Sequence, residues 1–287
     1  MSQAEEALRR QGRLLPGPGD VQVLAIAPAE LAAVAGEFGL TLRQAELLAL
    51  EGKVVPERYL RNLGTLGWEG QRRLLRACVA VIGCGGLGGY VIEGLARSGV
   101  GRLVVVDGDR FAAHNLNRQL LCTADDLGRS KAEVARERVE RVNPAVELIA
   151  HAVEATALNL PGLLGGVEVV VDALDSPRAR LVLQAAARRQ GIPLVHGAIA
   201  GPVGQVTTVL PGDDTLTLIY GAEGGLDHGA EAFLGTPAMT PMLVAACQVA
   251  EVLKLLLGQG RVLRRRLLYL DLESGTVEQF LLGAAAE

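Results

Sequence analysis

Aromatic side chains are scarce in this chain: 3% of its 287 residues are Phe, Trp or Tyr, with a single Trp. So few rings exclude an aromatic-rich β-sandwich and point to a core of Leu, Val and Ala packed between helices and a sheet. Paired cysteines are missing too. Cys78, Cys84, Cys122 and Cys247 form no C-x-x-C, so zinc-ligand spacing is absent and reduced thiols of a cytosolic protein are expected. There is no excess of positive charge: 28 Lys and Arg face 32 Asp and Glu, a formal net charge of −4. That balance argues against a nucleic-acid partner, which calls for a basic face. The one basic run, Arg264-Arg265-Arg266, leads straight into apolar L-L-Y-L and reads as a strand flank. Nor is any long run purely apolar. The start M-S-Q-A-E-E-A-L-R-R has no signal core, and residues 242–257 are interrupted by Gln248, Glu251 and Lys254. No membrane span is expected, and the location is expected to be cytoplasmic.

What the chain does contain falls into two parts. Residues 1–55 read as a small helical N-terminal extension. P-A-E-L-A-A-V-A-G-E-F-G suggests a helix closed by Gly39, and Thr41 caps a second with Gln44 three residues on. Residues 56–287 read differently. C-V-A-V-I-G and R-L-V-V-V-D are buried strands with a helix between them. They are followed by a helix over residues 130–142, V-E-L-I-A-H, V-E-V-V-V-D-A-L-D, a helix over 177–190 and P-L-V-H-G-A-I. Such alternation predicts an α/β, Rossmann-like, doubly wound and mostly parallel sheet with helices on both faces. G-Q-V-T-T-V-L alternates like an exposed edge strand. A glycine-rich loop over 211–237, a helix over 242–257 and two closing strands, R-L-L-Y-L-D-L and T-V-E-Q-F-L-L, supply the added antiparallel part.

Strand, then G-C-G-G-L-G, then helix is the context that a dinucleotide fingerprint requires. Gly83 permits the tight turn, Gly85 and Gly86 bring backbone near a phosphate, and Gly88 lets the helix pack on the strand. The next strand ends at Asp107, 19 residues after Gly88, where a carboxylate can accept ribose hydroxyls. NAD and ATP fit equally well to this point. Residues 107–119, D-G-D-R-F-A-A-H-N-L-N-R-Q, then place Asn115, Arg118 and Gln119 together, and D-D-L-G-R-S-K supplies Lys131. Two cations beside the glycine loop suit a triphosphate. Asp175, at the tip of V-D-A-L-D, is a carboxylate at the edge where ligands of parallel sheets bind, and one carboxylate with phosphates is how Mg²⁺ is usually held.

The ordered series E-R-Y-L-R-N, G-C-G-G-L-G, D-G-D, N-L-N-R-Q, G-R-S-K, V-D-A-L-D-S and P-L-V-H-G-A-I-A-G-P-V-G-Q-V, spanning residues 56–282, resembles the ThiF/MoeB/HesA family, bacterial relatives of ubiquitin-activating enzymes. The resemblance implies a homodimeric adenylyltransferase. It would use ATP and Mg²⁺ to adenylate the C-terminal glycine of a small ubiquitin-like sulfur-carrier protein ending in Gly-Gly, in molybdopterin or thiamine biosynthesis. It also implies roles by position: Asp107 on ribose, Asn115, Arg118 and Lys131 on phosphates, Gln119 in support, and Asp175 on Mg²⁺. Arg61 would be an arginine finger reaching the partner subunit's ATP.

The chain departs from many family members in lacking the two C-x-x-C pairs of a structural zinc, so no zinc is expected, and the loop over 211–237 holds no cysteine. Cys84, beside a helix N-terminus, is expected to have a lowered pKa yet to serve in packing. His196 reads as a packed histidine, not a general base. Alternatives are an NAD-dependent oxidoreductase, a non-catalytic scaffold for a ubiquitin-like partner, and a tRNA-modifying relative.

Overall fold

The computed structural model describes residues 2–222 and 229–283. Its main part is an eight-stranded sheet in the order β11-β10-β9-β8-β7-β4-β5-β6. The parallel half is β4 (Cys78–Ile82), β5 (Arg102–Val106), β6 (Glu147–His151), β7 (Val169–Asp172) and β8 (Leu194–Ala200). The antiparallel half adds β9 (Val203–Val209), β10 (Arg266–Asp271) and β11 (Thr276–Leu281).

All five residues of β4 are buried, because the strand is covered on both faces. Val79 and Val81 point to one side, into a cluster with α5 (Gly86–Ser98), α6 (Lys131–Val142) and α11 (Met239–Leu257). Ala80 and Ile82 point to the other, against α7 (Leu160–Leu163), α8 (Pro177–Gln190) and α9 (Thr215–Tyr220). This is the expected doubly wound arrangement, and the period-two alternation of the strand explains it. The strand order reverses between β4 and β7, so the crevice at their carboxyl ends is the switch point where such sheets take ligands.

Two expectations need correction. The segment read as an exposed edge is β9, an interior strand between β8 and β10. Thr207 and Thr208 are fully buried there, their hydroxyls donating to the Leu263 carbonyl and the Glu251 carboxylate. Polar alternation marked internal hydrogen bonding, not solvent. The N-terminal segment is not purely helical. Beside α1 (Gln3–Gln11), α2 (Pro28–Glu37) and α3 (Leu42–Glu51) it holds an antiparallel hairpin, β1 (Arg13–Pro16) and β2 (Gln22–Ile26), with β3 (Val55–Pro56) parallel to β2. The turn signal P-G-P-G-D between L-L and V-Q-V-L was present in the sequence. Thr41 and Gln44 form the expected capping box. The loop over 211–237 contains α9 and α10 (Glu231–Leu234), and His228 lies outside the described residues. The remaining helix, α4 (Leu63–Arg76), leads from the N-terminal segment into β4.

Helix α11 is long and apolar enough to cross a membrane by length and composition. It lies against the sheet, with Gln248 donating to the Asp172 carbonyl at 2.8 Å and Glu251 accepting from Thr208 and from the Leu263 N–H.

Candidate functional site

A cleft of about 820 Å³ opens at the switch point, lined by the glycine loop, the ends of β4 to β7, and residues from α8 and α10. The loop's shape follows from two glycines. Gly83 has φ +100°, and a Cβ there would sit 2.5 Å from the Ala173 carbonyl oxygen. At Gly88 a Cβ would lie 1.8 Å from the Gly83 carbonyl oxygen, so only glycine lets α5 start this close to β4. No side chain caps α5. Its first N–H groups are thus free to meet an anion at the cleft, where Gly83, Gly85 and Gly86 form the wall.

Asp107 follows β5 directly, beside this loop. Its Oδ2 accepts the Cys84 N–H at 2.7 Å and its Oδ1 the Asp109 N–H at 2.8 Å. These bonds fix the carboxylate and leave lone pairs for two hydroxyls. Burial pushes its pKa up, and the two N–H groups and Lys131 work against that. Cys84 behaves contrary to expectation: its thiol is fully buried, and burial followed by the Asp107 charge pushes its pKa well up. Desolvation and a neighbouring anion outweigh the opposing charge of Lys131.

Arg118 and Lys131 both line the cleft. The Arg118 stem lies over Gly86, and its Nη1 donates to the His114 carbonyl at 3.0 Å and Asn117 Oδ1 at 2.9 Å. Lys131 begins α6, nearly buried, with Nζ 2.9 Å from Asp109 Oδ2. Gln119 lines the cleft with Oε1 buried and unpartnered, an acceptor awaiting a donor. Asp175 lines it as an exposed carboxylate that makes no hydrogen bond or ion pair among the described residues.

Asn115 is not brought to the cleft wall. It is buried, and its Oδ1 accepts the Ala112 N–H at 2.9 Å while its carbonyl accepts the Gln119 N–H at 2.9 Å. It shapes the turn that carries Arg118 and Gln119. Arg61 also lies away from its own cleft, exposed, and forms no hydrogen bond or ion pair among the described residues.

Sequence reasoning missed one wall and the floor. Residues 152–155, just past β6, face the glycine loop, and Arg180 reaches in from α8. Beneath Arg180 lies a buried polar network. Asp172 Oδ2 is 2.7 Å from His196 Nδ1, and the Tyr220 hydroxyl is 3.1 Å from His196 Nε2. Arg180 Nη1 donates to that hydroxyl at 2.6 Å, and Gln205 Nε2 at 3.0 Å. Arg180 also donates through Nε and Nη2 to the Leu174 carbonyl, at 3.2 and 2.6 Å. The guanidinium thereby pins the loop that presents Asp175. Burial holds the His196 pKa down. A neutral ring that donates from Nδ1 to Asp172 and accepts at Nε2 from Tyr220 satisfies every partner. The expectation of a packed histidine agrees with this setting.

A glycine loop at the switch point, a carboxylate beside it and two cations in one cleft are the makings of an anion-binding site on an α/β domain. The chain belongs to the ThiF family, whose model matches residues 59–287. It is 39% identical over 226 residues to the SAMP-activating enzyme E1 of Haloferax volcanii, covering 77% of this chain and 83% of the relative. To the sulfur carrier protein adenylyltransferase of Thermus thermophilus it is 40% identical over 226 residues, covering 75% and 83%. Among solved structures, the fold resembles PaaA with TM-score 0.68 at 21% identity, covering 79% of this chain and 82% of that one. It also resembles the E. coli tRNA N6-threonylcarbamoyladenosine dehydratase in complex with ATP, with TM-score 0.60 at 25% identity, covering 70% and 94%.

Proposed function

We propose that this cleft binds ATP and adenylates the C-terminal glycine carboxylate of a small ubiquitin-like sulfur carrier ending in Gly-Gly. A carboxylate oxygen of the carrier attacks the α-phosphorus, the bond to the β-phosphate bridging oxygen breaks, and pyrophosphate leaves. The observation that carries this reading is the chemistry of the lining. Arg118 and Lys131 both line the cleft beside the α5 N-terminus, and among the described residues the cleft wall holds no cysteine or histidine. Its serine, Ser176, caps α8 by accepting the Ala179 N–H. A site without an activated nucleophile accelerates the reaction by alignment and by offsetting charge.

Each residue has a part in this scheme. Asp107 accepts the ribose hydroxyls, the N–H groups at Gly85 and Gly86 approach the phosphates, and Arg118 and Lys131 bind them. Asn115 positions Arg118 and Gln119. Asp175, unpartnered beside the phosphate cations, fits one-carboxylate holding of Mg²⁺ with substrate oxygens. When bound, the ion would neutralise charge on the phosphates and leaving group.

The charge balance of the lining supports a contribution from outside the chain. Among the described lining residues, Asp107, Asp109, Glu154, Asp175 and Glu231 oppose Arg118, Lys131 and Arg180, five carboxylates against three cations. A nucleotide near −4 therefore needs further positive charge, and Arg61 of a second copy is suited to provide it. Its turn packs against the far end of α5, whose 13 residues span about 20 Å, beyond the reach of its own cleft. We therefore assign a homodimer with an exchanged arginine. The carrier adenylate would next receive sulfur in the cytoplasm, for molybdopterin or thiamine. Hydride transfer would leave Arg118 and Lys131 without a role.

The test is ATP–pyrophosphate exchange with purified sulfur carriers ending in Gly-Gly. Exchange that needs both the carrier and Mg²⁺ is expected. Tight ATP binding with no exchange for any carrier would point to a scaffold instead.

A further inference from the structure

Glu46 of α3 is a carboxylate almost completely buried, 1% exposed, between the N-terminal segment and the nucleotide-binding sheet. Its Oε2 accepts the Tyr59 hydroxyl at 2.8 Å, and Arg58 Nε lies 3.2 Å from its Oε1. Asn143, at the end of α6, completes the cluster. Its Nδ2 donates to the Tyr59 oxygen and to the Ala96 carbonyl, both at 2.9 Å, and its Oδ1 accepts from Arg58 Nη1 at 2.6 Å. Every member of this group is held from two directions.

The cluster surrounds the turn that carries Arg61. Tyr59 is fully buried two residues before it. Asn62, one residue after, donates to Gln71 Oε1 at 3.1 Å, and Gln71 donates to the Ser98 carbonyl at 2.9 Å. Gly99 just beyond α5 makes room for both anchors: a Cβ there would lie 2.6 Å from the Tyr59 ring and 2.5 Å from Gln71. Arg61 is thus an exposed, unengaged cation on a turn gripped on both sides. The grip is tied to the carboxyl ends of α5 and α6, whose amino ends form the phosphate cradle.

We propose that Glu46 is a positioning residue for Arg61, and that the N-terminal segment acts as a clamp that aims this arginine at the second subunit's nucleotide. The inference rests on the finger reading given above. Arg58 and Tyr59 need an anchor on the side away from the sheet, and Glu46 provides it to both. Without it, Tyr59 keeps only the Asn143 amide and Arg58 loses its carboxylate, so the turn gains freedom while the ATP cleft, built from other elements, stays intact.

The test is a double-mutant cycle on the full-length protein, with steady-state exchange read for kcat and calorimetry read for ATP affinity. Glu46→Ala should lower kcat about 10- to 100-fold, the scale of a displacement of about 1 Å, with ATP affinity changed by less than about twofold. Glu46→Gln, which still accepts from Tyr59, should recover part of the loss and serves where the alanine variant fails to fold. In an Arg61→Ala background the Glu46 effect should vanish, because both substitutions remove one function. Additive losses, or an equal fall in ATP affinity, would overturn the clamp while leaving the finger standing. An Arg61→Ala protein with wild-type exchange would overturn the finger and the clamp with it.

Discussion

His196 Nδ1 lies 2.7 Å from Asp172 Oδ2, and both side chains are fully buried beneath the nucleotide cleft. The pair is the base of a stack that rises through Tyr220 and Arg180 to the Leu174 carbonyl, next to Asp175. Replacing His196 by Leu leaves a buried carboxylate without its ring partner. A loss of about 1–3 kcal/mol is expected from leaving that buried acceptor without its donor, read by chemical denaturation. Tyr220→Phe, which strands Arg180 Nη1 and His196 Nε2, should lose about 1–3 kcal/mol.

Lys131→Ala and Arg118→Ala should each lower ATP–pyrophosphate exchange by about 10²–10³-fold, the usual scale for removing one group that offsets transition-state charge. Their circular dichroism should stay native. Retention of full exchange by either would remove that side chain from the phosphate site.

Subunit mixing tests the exchanged arginine. Arg61→Ala and Lys131→Ala proteins, each inactive alone, should regain exchange when unfolded and refolded together. A mixed pair contains one site with Lys131 and a partner's Arg61. No recovery, with mixed pairs demonstrated by tagged pull-down, would place Arg61 elsewhere.

Glu46 should leave a signature in the pH dependence of stability. Burial pushes its pKa up to about 7, against opposing effects of Arg58 and Tyr59. The folded state therefore holds a proton that the unfolded chain releases near 4.3. By linkage, the Glu46 contribution is full below that unfolded value and is lost as pH rises through about 7. Glu46→Gln cannot titrate, so its melting temperature should fall less than that of the wild type between pH 5 and pH 8. Parallel curves for the two proteins would refute the assignment.

Cys84 should resist alkylation. Its buried thiol, with a pKa pushed upward, should react with iodoacetamide only on unfolding, and Cys84→Ala should still form acyl-adenylate. Fast labelling of the native protein would contradict the burial.

Much of the site was legible because its residues sit at fixed offsets along single strand–turn–helix units. Gly83, Gly88, Asp107 and Lys131 occupy the ends of elements whose apolar periodicity gave them away. What the chain order hid depends on distant segments. The wall at residues 152–155 has no chemical signature of its own and becomes a wall because β6 pairs beside β5. Arg180 carries no signal in the sequence, because the Tyr220 hydroxyl that it meets lies 40 residues on. The resemblance places Asn115 on phosphate, and chain order alone does not reveal that its Oδ1 accepts the Ala112 N–H in the turn before Arg118. Thr207 and Thr208 suggested an outer strand because alternation cannot tell water from a buried Glu251 as the hydroxyls' partner.

Two side chains decide the destiny of α11. By length and composition alone, its 19 residues would pass for a membrane-crossing segment even with Gln248 and Glu251 in place. Gln248 and Glu251 instead find their acceptors and donors on the β-sheet, so pulling the helix away would strand an amide and a carboxylate. A couple of polar atoms thus sort an otherwise greasy helix toward its own protein.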